Sequence, residues 1–171
     1  EDFSLEAKSL KHSTSCVGYR FVEKEKRKVH MKELKKLGVK EGPHIKKLQM
    51  GQDIIYEGKK IKAKDFTTMI PGKIVSLVTD TVYCDAAIEL AKNADLLFCE
   101  STYLDDMTDQ AELRKHMTAT QAATIAKKAK VKKLVLIHFS QRYKDLSLFS
   151  KEAKKTFANV TLGRDLQTFT L

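Results

Sequence analysis

From Ile74 onward the chain alternates short apolar runs with helix-patterned segments, and three of those runs end on an ionisable residue. KIVSLVT ends at Asp80, LLFC at Glu100, and LVLI at His138. Runs this short and this apolar suit strands buried on both faces of a sheet. Between them, residues 85–93, 103–113, 118–129 and 146–157 carry helical patterns. The third of these opens on Thr118 with Gln121 placed to close a capping box. Such alternation predicts an α/β domain with at least part of its sheet parallel. In open sheets of that kind, ligands and metals sit at the carboxyl ends of the strands.

An imidazole at a strand end can give one ring nitrogen to a metal while a neighbour holds the other. An isolated histidine there is more often a core residue bonded to backbone. Here the placement recurs at Asp80, Glu100 and His138, and His116 stands in the loop just before a helix start. Carboxylates and imidazoles along one sheet edge are the donor set of a metal hydrolase.

Upstream, residues 3–10 and 17–23 alternate apolar and polar and are expected as successive strands, with His12 in the connection LKHSTSC. The composition then shifts. From Glu23 to Lys64 there are 14 Lys or Arg against 6 Asp or Glu, while the rest of the chain holds 18 against 16. A charge so concentrated suits a polyanion such as nucleic acid, and a solvated lysine-rich surface has the same composition. Val29, Leu34 and Leu37 form only a thin apolar stripe, and Gly42-Pro43 marks a sharp turn. Residues 24–52 are therefore expected as an extended basic arm without a core of its own, with His30 and His44 facing solvent or RNA. Residues 52–64 suit a hairpin turning at Glu57-Gly58. Late strands are expected at 160–162 and 167–170. No apolar run approaches the roughly 18 residues of a membrane span. Cys16, Cys84 and Cys99 are few, odd in number and without CxxC spacing, which favours reduced thiols and a cytoplasmic setting.

Several of these segments, in order, resemble the ribonuclease Z family of tRNA 3′-processing endonucleases, which have the metallo-β-lactamase fold. LKHSTSCVGYRF resembles the segment carrying a zinc-ligand histidine, here His12. VTDT resembles the segment of the aspartate that bridges two zinc ions, here Asp80, and LIHFSQRY that of the last zinc ligand, His138. The family's His-Glu-Ala-Thr motif corresponds to Cys99-Glu100-Ser101-Thr102, and its His-Ser-Thr to His116-Met117-Thr118, so Cys99 and Met117 are departures. LGVKEGPHIKKL resembles the flexible arm that grips tRNA.

The resemblance implies an α/β fold that is part of a metallo-β-lactamase αβ/βα sandwich with a protruding basic arm at about 24–52. It implies a zinc endoribonuclease that removes the 3′ trailer from pre-tRNA by metal-activated hydroxide. His116 would be the general acid, oriented by Glu100, with Ser140, Arg142 and Thr118 near the substrate. Arg27, Lys28, Lys32, Lys35, Lys36, Lys40, Gly42, Pro43, Lys46 and Lys47 would hold the tRNA, and family members pair as homodimers. The family's His-x-His-x-Asp-His motif is absent from these 171 residues. The chain is therefore expected to be a C-terminal portion that is inactive alone. Two other readings stay open. One is a non-catalytic tRNA-binding chain or partner of a complete subunit. The other is a phosphodiesterase for small substrates, which would leave the basic stretch without a use.

Overall fold

The computed structural model describes residues 2–171, which form two compact units. One comprises residues 2–23 with Lys73–Leu171, and the other is Lys24–Gly72. Strands β1 (Phe3–Ser9) and β2 (Val17–Glu23) open the first unit. The second unit holds β3 (Lys26–Val29), α1 (Met31–Lys36), α2 (His44–Gln49), β4 (Ile54–Tyr56), β5 (Lys59–Ile61) and β6 (Thr67–Ile70). The first then resumes with β7 (Ile74–Val78), α3 (Asp85–Ala91), β8 (Leu96–Glu100), α4 (Thr108–Arg114), α5 (Ala119–Lys128), β9 (Leu134–Ile137), α6 (Ser147–Lys154) and β10 (Val160–Leu162).

The first unit is a six-stranded sheet in the order β1-β2-β7-β8-β9-β10. The β1-β2 and β2-β7 pairs are antiparallel. The pairs β7-β8, β8-β9 and β9-β10 are parallel, as the strand and helix alternation requires. The pleat sorts side chains by parity. Val78, Leu97, Cys99, Leu134 and Leu136 face α3, α5 and α6, where Leu90, Ala123, Ile125, Ala126 and Phe149 complete a buried core. Gly18 lets α3 come close, since a Cβ there would stand 2.6 Å from Leu90 Cδ1. On the opposite face Phe3, Leu5, Tyr19 and Leu77 stay exposed, with Phe3 4.9 Å from Phe21 between ring centroids. α5 starts as expected, with the Thr118 hydroxyl accepting from Gln121 N at 3.3 Å and Gln121 Oε1 accepting from Thr118 N at 3.0 Å.

Two expectations fail. Residues 167–170 form no strand; instead Phe169 packs edge-on against Phe98 at 5.4 Å. Residues 24–52 are not an extended arm lacking a core. They fold with residues 53–72 around Leu34, Val39, Leu48, Ile54, Ile61 and Ala63, all buried. Each short segment carries only one or two apolar residues, too few to register as a core in any local window. Pairing β3 with β6 and β4 with β5 gathers them.

Candidate metal centre

The parallel strands β7, β8 and β9 run the same way, so their C-terminal ends deliver Asp80, Glu100 and His138 to one edge of the sheet. His116 arrives from the turn between α4 and α5, after Lys115 ends α4 in a left-handed conformation at φ 60°. Asp80 and His138 also have positive φ, 23° and 59°. Non-glycine residues hold such conformations only where their surroundings impose them, and they gather at functional sites.

Burial falls steadily across the group. The Glu100 side chain is 0% exposed, His116 15%, Asp80 39% and His138 45%. Glu100 is the anchor. Its Oε1 accepts from Thr81 N at 2.6 Å and from His116 Nδ1 at 2.9 Å. Its Oε2 accepts from Thr102 Oγ1 at 2.7 Å and Met117 N at 3.1 Å. Donors on both oxygens compensate a buried carboxylate for lost water. The Glu100 hydrogen bond raises the His116 pKa above its ordinary value. Burial opposes the rise, and the Glu100 and Asp80 charges add to it.

One potential ligand atom from each of Asp80, His116 and His138 lies within 4.8 Å of the others. Hydrogen bonds define the ring states. The Thr102 hydroxyl gives its proton to Glu100 and can only accept from His138 Nδ1, 2.8 Å away. His138 therefore donates from Nδ1, and its Nε2 faces Asp80 Oδ1 at 3.2 Å. A lone pair and a carboxylate oxygen so close repel unless a cation or proton lies between them, so this donor set fits a divalent metal. His12 Nδ1 lies 2.9 Å from the Lys115 carbonyl, which can only accept, so His12 donates from Nδ1. The His12 ring is 4.9 Å from that of His116, beside the three-residue group but outside it.

The remaining candidates divide. Arg142 is exposed, its Nε bonds Ser140 Oγ at 3.3 Å, and its guanidinium lies 5.1 Å from the Tyr103 ring centroid. Thr118 is 1% exposed and its hydroxyl is committed to the α5 cap, which leaves it no free face for a substrate. Burial pushes the Cys99 thiol well up, with Glu100 and Cys84 adding to the shift, so it is inert. In the second unit Lys28, Lys32, Lys35, Lys36, Lys40, Lys46 and Lys47 are exposed, and Lys35 pairs with Glu41 at 2.9 Å. Arg27 is half-buried and bonds Thr67 Oγ1 at 3.0 Å. Gly42-Pro43 leads into α2, and His44 Nε2 contacts the Lys40 carbonyl at 2.9 Å. His30 Nε2 contacts Thr68 Oγ1 at 2.8 Å. Sequence reasoning gave no role to Thr102 or Tyr103. Thr102 was visible only as the last residue of the segment matched to His-Glu-Ala-Thr, and Tyr103 had no signal.

Residues 65–139 match a family model described as the beta-lactamase superfamily domain. Proteins named ribonuclease Z from Protochlamydia amoebophila and Chlamydia pneumoniae are 42% and 40% identical over 167 residues, 98% of this chain and 54% of each relative. This chain is homologous to ribonuclease Z. It spans about half the length of those relatives. Human tRNase Z, short form, matches with a TM-score of 0.58 at 26% identity, over 99% of this chain and 44% of its own. A metallo-beta-lactamase fold protein from Bacillus subtilis matches with a TM-score of 0.61 at 20% identity, over 95% of this chain and 48% of its own, and shows the fold alone. The fold is of the metallo-β-lactamase type, which implies use of a divalent metal. Among the described residues no helix is long and apolar enough to cross a membrane.

Proposed function

We propose that this chain supplies part of a zinc-dependent tRNA 3′-endonuclease that removes the trailer from pre-tRNA in the cytoplasm and works as a homodimer. The observation that carries the reading is the convergence of Asp80, His116 and His138 within 4.8 Å, with a buried carboxylate behind His116. Asp80, His138 and His12 would hold the metal, since both imidazoles commit Nδ1 to a hydrogen bond and leave Nε2 for an ion. Zinc bound there would supply Lewis acidity and an ionised water at neutral pH. His116 has the opposite character. Its raised pKa favours the imidazolium, a poor ligand but a good acid, so it donates a proton to the leaving oxygen. Glu100 fixes the His116 Nδ1–H and turns Nε2 toward the substrate side. Arg142, stacked on Tyr103, and Ser140 contact a phosphate. The exposed lysines of Lys24–Gly72 bind tRNA through its backbone.

Asp80, His138 and His12 by themselves make a weak cage for two ions, so the chain alone is expected to leave pre-tRNA uncut. The test joins it to the part of the P. amoebophila relative that the match does not cover and follows trailer release. Zinc-dependent cleavage that Asp80→Ala and His116→Ala each lower by a factor of about 100 or more is expected. Absence of cleavage with zinc bound would favour the alternative, a tRNA-binding chain without catalysis.

A further inference from the structure

We propose that Thr102 is a positioning residue whose hydroxyl, held as a donor to Glu100, accepts from His138 Nδ1 and so turns Nε2 of that ring toward Asp80. Two contacts carry this. Thr102 Oγ1 lies 2.7 Å from Glu100 Oε2 and 2.8 Å from His138 Nδ1. A hydroxyl has one proton. Were it directed at His138, two oxygens with only lone pairs would face each other at 2.7 Å. Both Glu100 oxygens already accept, from His116 Nδ1, Thr81 N and Met117 N, so Glu100 faces Thr102 as an acceptor too and the hydroxyl proton goes to it.

Direction then propagates outward. The Thr102 oxygen is left as an acceptor, which only a protonated Nδ1 of His138 can satisfy. The backbone reinforces this: Thr102 N also points at Glu100 Oε2, at 3.4 Å, and the Thr102 carbonyl accepts from Ser140 N at 3.1 Å. That second contact ties the segment after β8 to the one after β9. Thr102 is 6% exposed, which leaves its hydroxyl little access to water. One buried carboxylate thus orients two imidazoles, His116 directly and His138 through Thr102. At Nδ1, His116 contacts the carboxylate itself, whereas His138 contacts the hydroxyl oxygen of Thr102.

The proposal rests on the functional reading only in naming a metal as the beneficiary. The tautomer can be measured on the metal-free 171-residue chain by long-range 15N–1H correlation of the His138 ring. The expected spectrum has the proton on Nδ1. Thr102→Val, which keeps the side-chain shape without the hydroxyl, is expected to give a mixture of tautomers, and Thr102→Ser to restore the single form. Zinc titration should follow the same order, with about a 10- to 100-fold loss of affinity for Thr102→Val and little for Thr102→Ser. A His138 ring without a proton on Nδ1 in the unsubstituted chain would overturn the proposal, and that result requires no variant to fold. So would a Thr102→Val chain with unchanged tautomer and unchanged affinity. A chain that holds the Nδ1–H form but binds no zinc would support the positioning role and count against the metal-dependent function.

Discussion

Glu100 is where the chemistry of the site is stored, because no water touches it and every lone-pair direction it uses meets a protein donor. Glu100→Gln keeps the shape but replaces an acceptor with an NH2 that faces existing donors. It is expected to cost about 1–3 kcal/mol for each contact left unsatisfied, read from chemical denaturation. The same substitution should return the His116 pKa toward its ordinary value near 6.5, read by NMR titration of the ring. The sign of the pH effect follows. A histidine whose folded pKa is raised contributes stability that is fully present below its unfolded pKa and is lost as pH rises through the folded value. The metal-free chain is therefore expected to lose thermal stability across that window, and Glu100→Gln to flatten the loss.

At the scale of elements, helix α5 and strands β7 to β9 were legible because each is a continuous local pattern. Its cap, its apolar face and its length all lie within a dozen residues. The Lys24–Gly72 unit was not legible for the opposite reason. Leu34, Val39, Leu48, Ile54 and Ile61 come from different short segments and meet only after two antiparallel pairings bring them together. Because the unit has a core, it can be broken from inside. Leu34→Ala, at a fully buried position, is expected to cost about 2–5 kcal/mol in the unit's own stability. Hydrogen exchange should report the loss within residues 24–72 and leave the protection of β7 to β9 intact. Uniform loss of protection across both units would show that they unfold as one.

For the molecule as a whole, the charge is divided as the sequence divides it. The Lys24–Gly72 unit carries 14 of the 32 basic residues and 6 of the 22 acidic ones, and its lysines are mostly exposed. If this unit grips RNA through phosphates, binding falls steeply with salt. A log–log slope steeper than about −3 is expected once four or more phosphates are neutralised. Replacing Lys46 and Lys47 together by alanine should reduce that slope by about 1–2 without altering preference among tRNA sequences. A flat salt response would mark the lysines as a solvated surface. The two faces of the six-stranded sheet differ as sharply. One is sealed by helices, while the other leaves Phe3 50% and Leu5 60% exposed, although both faces come from the same alternating strands.

The sequence by itself determined the α/β class, the parallel strands, the α5 cap and the identity of the ionisable strand ends, because each is written in neighbouring residues and enforced by backbone geometry. It also carried the likeness to ribonuclease Z, through motifs short enough to survive in order along the chain. Only the tertiary structure decided which partner each imidazole binds through Nδ1 and where its Nε2 faces. That choice depends on hydrogen bonds between Glu100, Thr102, His116 and His138, which span 38 positions and come within 3 Å of one another only when β8, β9 and the α4–α5 turn pack. The core of residues 24–72 was likewise settled in three dimensions, since hydrophobic burial responds to proximity in space and not to spacing along the chain.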